Sequence, residues 1–341
     1  MHDYEIAAAS LLKRLAANGQ ALPVVGVICG SGLSGLAKCI DASKALTVHY
    51  QDIPGFPRAT VAGHKGELVF GPIGGIDVVC MLGRFHFYEG NDMNTVSLPV
   101  RVMRLLGVKM LIVTNAAGGL NPAFSVGDIA IIQDHFGMPL LAGNTPLRGL
   151  NNDTLGPRFP AVSDAYDEKL QDMLLACSDK LQLRSYLRPN ALYCFVAGPS
   201  YESRAECRFL RSIGGDTVGM STIPEVVAAK HAGMKVLCLS LVTNQVVVEK
   251  GEGVVHASHA EVLQAVETSG KRIQSLLTAY ITKENLGQYL DALPSVVYKP
   301  APRGLLEQVF EALQSAELRY AASLAVAVGV GYSLSASRSR A

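Results

Sequence analysis

The strongest constraint on the fold of this chain is a recurrent unit, in which a short run of β-branched and other apolar residues precedes a turn and a helix-like stretch. The runs lie at 24–29 (VVGVIC), 67–71 (ELVFG), 77–82 (DVVCML), 109–115 (KMLIVTN), 128–134 (DIAIIQD), 191–198 (ALYCFVAG) and 235–244 (KVLCLSLVTN). Several are apolar at consecutive positions instead of alternating, as a strand covered on both faces requires. With helical stretches at 94–106, 164–182, 203–213, 224–232 and 259–282, they predict an α/β fold. Its centre is a mixed, mostly parallel sheet flanked by helices on both faces. The first twenty residues mix acids and bases among apolar positions and read as an amphipathic helix, without the uninterrupted apolar stretch of a signal peptide.

Element density stays even from residue 20 to about 283 with no Pro- or Ser-rich linker, which predicts a single domain over 1–284. Residues 285–341 read differently, as a C-terminal extension. A Pro-containing stretch (293–304) leads to a helix candidate with Leu305, Leu306, Val309, Phe310 and Leu313 on one stripe, then to AASLAVAVGVGYSLSA at 321–336. That last segment is shorter than the roughly 20 residues that span a bilayer. The expectation is a docked or partly ordered tail, with no membrane association.

Composition narrows the function. Apolar residues make up 49% and charged residues 17%, enough for a large core. Lys and Arg number 30 against 29 Asp and Glu, so the net charge of +1 supplies no field for nucleic acid. Small molecules are the expected partners. The seven Cys include no C-x-x-C pair and are odd in number, which argues against a disulfide framework or structural zinc and for a reducing, cytoplasmic setting. No H-E-x-x-H occurs, and the H-x-x-H of His256 and His259 has no evident third ligand, so no metal is expected. A G-x-S-x-G nucleophile elbow is absent too.

After the first strand, Gly30-Ser31-Gly32-Leu33-Ser34-Gly35 matches G-x-G-x-x-G, and Asp52 lies at about the spacing of a ribose-binding acid. This window alone admits an NAD-dependent dehydrogenase, an anion loop of another kind, or a connecting turn. Common to the two binding readings is an oxyanion site, in which glycines let backbone N–H groups approach an anion and Ser31 adds a hydroxyl. The segment GRFHFYEG (83–90) follows the run at 77–82. If the chain stays extended there, Arg84, His86 and Tyr88 project to one side. Such a cation, imidazole and phenol beside the Gly-rich loop would make a tetrahedral-anion pocket. Glu202 follows the run at 191–198 and its turn, and Asn244 ends the run at 235–244. A carboxylate accepts from the N–H edge of a 6-oxopurine, and a primary amide both donates and accepts at the other edge. Read locally, Glu202 serves equally as an acid at a helix start and Asn244 as a turn residue.

The segments GSGLSGL (30–36), AGHKGELVFG (62–71), GRFHFYEG (83–90), TNAAGGLNP (114–122), GPRFPAVSDAYD (156–167), AGPSYES (197–203) and GMSTIPEV (219–226) resemble, in order, the signature blocks of the trimeric purine nucleoside phosphorylases. The resemblance implies that Ser31, His64, Arg84, His86, the backbone of Ala116 and Ser221 hold phosphate, and that Tyr88, Met220 and His259 contact the ribose. It puts Glu202 and Asn244 on a 6-oxopurine, with Tyr201 stacked on the base, and Phe159 in the ribose pocket of a neighbouring subunit of a homotrimer. His86, Glu202 and Asn244 are the expected catalytic residues. Phosphate is a co-substrate and no cofactor is implied. Many relatives carry Phe at the Tyr201 position, and the loop 249–259 departs from the family's forms. Both His256 and His259 therefore remain candidates for the ribose 5'-hydroxyl, with His259 preferred because HAEVL resembles the start of the family's last helix. A methylthioadenosine phosphorylase is disfavoured by the amide at Asn244, where that type tends to carry an acid. A nucleoside- or phosphate-binding module without catalysis is countered only by the intact constellation.

Overall fold

The structure, a computed structural model, describes residues 2–30, 33–58, 65–250 and 258–294, with only the backbone of residues 259 and 260. In chain order the strands are β1 (Val25–Cys29), β2 (Leu46–His49), β3 (Glu67–Ile73), β4 (Ile76–Leu82), β5 (Met110–Gly119), β6 (Ile129–Gly137), β7 (Leu187–Phe195), β8 (Thr217–Gly219) and β9 (Lys235–Gln245). The α-helices are α1 (Asp3–Ala17), α2 (Met93–Leu106), α3 (Met138–Leu141), α4 (Glu168–Lys180), α5 (Arg204–Ser212), α6 (Ile223–His231), α7 (His259–Tyr280) and α8 (Gln288–Ala292).

Helix starts follow from local chemistry. Asp92 accepts from the Thr95 N–H at 2.7 Å to open α2, and Gly107 closes it in a left-handed conformation at φ 116°. In α1, Tyr4, Ala7, Ala8, Leu11 and Leu15 are buried, the spacing of one helical face, and the Glu5 carboxylate accepts from the His2 N–H at 2.9 Å.

Every residue of β1 is buried, which explains its unbroken apolar run. Among the described residues the strands form one sheet in the order β2-β3-β4-β1-β5-β8-β7-β6-β9, with β5 also pairing β9. Five pairings are parallel (β1–β4, β1–β5, β5–β9, β6–β7, β7–β8) and four antiparallel (β2–β3, β3–β4, β5–β8, β6–β9). The β5–β9 pairing closes β5, β8, β7, β6 and β9 into a ring, and the other strands continue as an open sheet from β5. Register irregularities at Ala117/Gly118 in β5 and within Ala130–Asp134 in β6 supply the local bend that closure needs.

The main core packs α7 and the strand faces around Val27, Ile112, Leu239 and Leu277, and it includes Leu286 and Leu290. Lys109 Nζ donates to the carbonyls of Leu290 and Leu293 at 3.1 and 3.2 Å. The packed body thus continues past residue 284, the boundary expected from element density, because Leu286 and Leu290 are buried in the same core. The expected helix at 305–313 and the apolar segment at 321–336 lie outside the described residues. No helix among the described residues is long and apolar enough to cross a membrane.

Candidate active site

Strands arriving from two directions end against the middle of β5. β1 runs parallel to it with Ile28 opposite Val113, so Gly30 arrives beside Asn115. β8 runs antiparallel with Val218 opposite Gly118, so Gly219 to Ser221 arrive from the other side. β9 runs past both, and where Ala117 pairs Val242 and Gly118 pairs Asn244, Thr243 is the extra residue of a bulge. The result is a cavity of about 130 Å³ bringing together Gly30, His86, Tyr88, Ala116, Tyr201, Glu202, Met220, Ser221 and Asn244. A larger cavity of about 380 Å³ between α1, α2 and residues 146–155 contains none of these residues.

The side expected to hold an anion is built on close backbone approach. A Cβ on Gly30 would lie 2.7 Å from the Thr114 carbonyl oxygen and 2.8 Å from Asn115 Cα, so only glycine fits there. Arg84 is 1% exposed. Its Nη1 donates to Ser221 Oγ at 2.7 Å and to Thr222 Oγ1 at 3.2 Å, Nη2 donates to the Thr114 carbonyl at 2.6 Å, and Nε lies 3.5 Å from Glu225 Oε1. Asn115 Nδ2 also donates to Thr222 Oγ1, at 2.9 Å. These bonds hold Thr222 at φ 79°, a strained value for a β-branched residue, at the start of α6. Arg84 therefore reaches the cavity through Ser221, from behind its wall.

His86 is buried, and both its backbone N–H and its Nδ1 meet Glu89 Oε1, at 2.9 and 2.8 Å. That carboxylate makes Nδ1 the protonated nitrogen of the neutral ring and Nε2 an acceptor, which turns donor on taking a proton. Burial pushes the His86 pKa down, against the opposing pull of Glu89. The extended geometry expected through Tyr88 is not what forms. β4 ends at Leu82, and Phe87–Glu89 turns into a 3-10 helix capped by the Glu89 contact to His86. The two rings stack instead, 4.6 Å apart and 15° from parallel. Burial pushes the Tyr88 phenol up to about 12.

On the opposite side, Glu202 is not the helix cap. Ser203 caps α5 by accepting from the Glu206 N–H, and Glu206 returns the contact. Glu202 turns to the cavity, where burial, reinforced by the Glu206 charge, raises its pKa. Asn244 Oδ1 accepts from Thr243 Oγ1 at 3.1 Å, while its Nδ2 has only a 3.5 Å contact to the Gln245 carbonyl. The amide is thereby oriented with its donor group uncommitted to a strong internal bond. Gly198 (φ +70°) packs where a Cβ would lie 2.5 Å from Met220 Sδ and 3.1 Å from Tyr88 Cδ1, between the residues expected at the ribose.

Phe159 stands apart, 89% exposed with the Arg158 guanidinium 5.8 Å from its ring centre. Ser31, His64 and His256 lie outside the described residues, and His259 is described only as the backbone that opens α7. The Gly-rich loop leads into a six-residue 3-10 helix (Ser34–Cys39), and Asp52 pairs with Arg14 at 3.9 Å, so neither the helix nor the acid of a dinucleotide site is formed. Sequence reading missed Thr114, Asn115, Thr222, Thr243, Glu89 and Glu225. Of these, Glu89 had a local signal, its position three residues after His86.

The phosphorylase superfamily model matches residues 24–282. A purine nucleoside phosphorylase of Bos taurus is 47% identical over 272 residues, covering 79% of this chain and 93% of its own. The crystal structure of a schistosoma purine nucleoside phosphorylase in complex with hypoxanthine superposes with TM-score 0.75 at 41% identity, over 82% of this chain and 95% of that one. The Schistosoma mansoni enzyme in complex with adenosine gives TM-score 0.76 at 42% identity, over 82% and 96%. The chain belongs to the phosphorylase superfamily and, within it, to the purine nucleoside phosphorylases.

Proposed function

We propose that this chain catalyses the phosphate-dependent cleavage of inosine, guanosine and their deoxy forms to free base and (deoxy)ribose 1-phosphate, in purine salvage. The observation that carries the proposal is the convergence of Glu202 and Asn244 with Gly30, His86 and Ser221 on one cavity. An acid–amide pair suited to a 6-oxopurine then faces an anion pocket across the space a ribose would fill. Ser31 and His64 complete that pocket by resemblance.

Phosphorolysis loosens the sugar–base bond toward an oxocarbenium-like sugar while negative charge grows on the purine. Asn244 Nδ2 donates to nitrogen 7 of the departing base, and Glu202 accepts from its N–H edge. Phosphate, held on the Gly30–His86–Ser221 side with the Arg84 charge behind it, stabilises the cationic sugar before bonding to C1. Preorganised donors aimed at developing charge supply most of the acceleration, without a covalent enzyme intermediate. The exposed Phe159 enters a neighbouring subunit's ribose pocket, so the active form is a homotrimer. The seven free cysteines suit a cytoplasmic location. The catalytic domain runs from the N-terminus through α8, with the remainder an extension.

The test is hypoxanthine release from inosine with and without phosphate, with adenosine as the comparison. Because a relative was crystallised with adenosine, selectivity is read from turnover instead of binding. Release without phosphate, or equal turnover of adenosine, would refute the proposal. Sizing under assay conditions tests the trimer, and a fully active monomer refutes it.

A further inference from the structure

Glu225 is the third residue of α6 and is 1% exposed. Neither carboxylate oxygen has a well-formed hydrogen bond among the described residues, and Oε1 sits 3.5 Å from Arg84 Nε. Among the described residues its other titratable neighbours are Tyr50 and Cys238, both raised well above their ordinary values by burial and so neutral. Burial raises the Glu225 pKa as well, while Arg84 and the Thr222 backbone N–H favour its charged form. The guanidinium is already pinned by Ser221, Thr222 and Thr114. A fourth contact that is ionic but poorly formed adds little orientation. It does add a full negative charge beside the cation, in a place that solvent does not screen.

We propose that Glu225 is a resident counter-anion of the phosphate site: it balances Arg84 while the site is empty and competes with phosphate for the same cation, setting phosphate affinity low enough for the sugar-phosphate product to leave. The inference rests on the phosphorylase reading above. It requires a trade-off. Removing the charge while keeping the side-chain size leaves Arg84 held by its hydrogen bonds to Ser221, Thr222 and Thr114, so phosphate binds more tightly. The phosphate-free protein meanwhile loses stability, because a buried cation has lost a negatively charged neighbour.

The test is Glu225→Gln in the full chain, with inorganic phosphate as the probe. Phosphate Kd by calorimetry and phosphate KM are expected to fall about tenfold or more, the scale of a nearby buried charge, with nucleoside KM at saturating phosphate within about twofold. Tm without phosphate drops, and the rise on adding phosphate exceeds that of wild type. Glu225→Asp keeps the charge and retains a phosphate Kd near the wild-type value. An unchanged or weaker phosphate Kd in the Gln variant overturns the inference, as does equal tightening in the Asp variant. So does failure of the Gln variant to fold even in saturating phosphate, since phosphate is claimed to replace the carboxylate. Wild-type enzyme runs in parallel: cleavage without phosphate would sink the functional reading, whereas phosphate-dependent wild type with an unaffected Gln variant sinks this inference alone.

Discussion

Replacing Asn244 with Ala isolates leaving-group stabilisation from the rest of the site. Thr243 Oγ1 has one proton and two acceptors in reach, Asn244 Oδ1 at 3.1 Å and the Ala117 carbonyl at 3.3 Å. Donation to the nearer oxygen turns the amide NH2 toward the purine. That group has only a 3.5 Å contact to the Gln245 carbonyl to lose on binding, so most of its hydrogen-bond energy goes to the base. A bond to a group acquiring charge contributes about 1.5–3 kcal/mol. At about 1.36 kcal/mol per decade of rate, kcat should fall about 10- to 150-fold in Asn244→Ala. Because Asn244 is proposed to act on the purine, phosphate KM should stay within about twofold. Asn244→Asp should lose at least as much as Ala, since a carboxylate cannot donate to nitrogen 7. Thr243→Val should lose less, because it frees the amide to rotate without deleting it. The assay is hypoxanthine release from inosine at saturating phosphate, with a thermal melt for each variant. A kcat within twofold of wild type would refute the argument. A fall in kcat matched by a rise in phosphate KM would show that Asn244 acts by shaping the whole cavity.

Glu202→Gln should lower kcat/KM for inosine by about 10- to 150-fold, the same charged-bond scale. With wild type, the acidic limb of log kcat/KM for inosine should lie above the ordinary glutamate value, because burial raises the Glu202 pKa and activity is lost as pH falls through it. A limb at the ordinary value, or one that persists in Glu202→Gln, contradicts this. Gly30→Ala places a Cβ 2.7 and 2.8 Å from backbone atoms that cannot swing aside, so overpacking should cost about 1–3 kcal/mol and phosphate KM should rise. An unchanged phosphate KM would show that the loop is not at the anion. Phe159→Ala removes a ring that is 89% exposed, so the subunit's stability should change by no more than about 0.5 kcal/mol while nucleoside KM rises. If KM does not move, Phe159 does not reach a neighbouring site.

What was legible in the sequence follows from how local each physical signal is. Strands β1 and β9 stand out because burial on both faces leaves near-continuous apolar runs. Strand β2 was missed because Val48 is its one buried residue, and β8 because three residues carry no period. Ring closure was hidden for a different reason: it depends on β5 pairing β9 across more than a hundred residues, and no local pattern encodes that register. The site divides the same way. Residues proposed to touch ligands, such as His86, Glu202 and Asn244, lie in compact segments whose resemblance to a family can be seen. Thr114, Ser221 and Thr222 meet Arg84 across 30, 137 and 138 positions, so nothing near any one of them announces the contact. Glu225 is the extreme case, because as a sequence feature it is only an acid in the first turn of a helix, a favourable and unremarkable place. Its meaning appears when the fold sets it 3.5 Å from a buried guanidinium already held by three oxygens. The identity of the reaction is thus readable along the chain, whereas the strength with which the site grips its anion is set by a partner visible only in three dimensions.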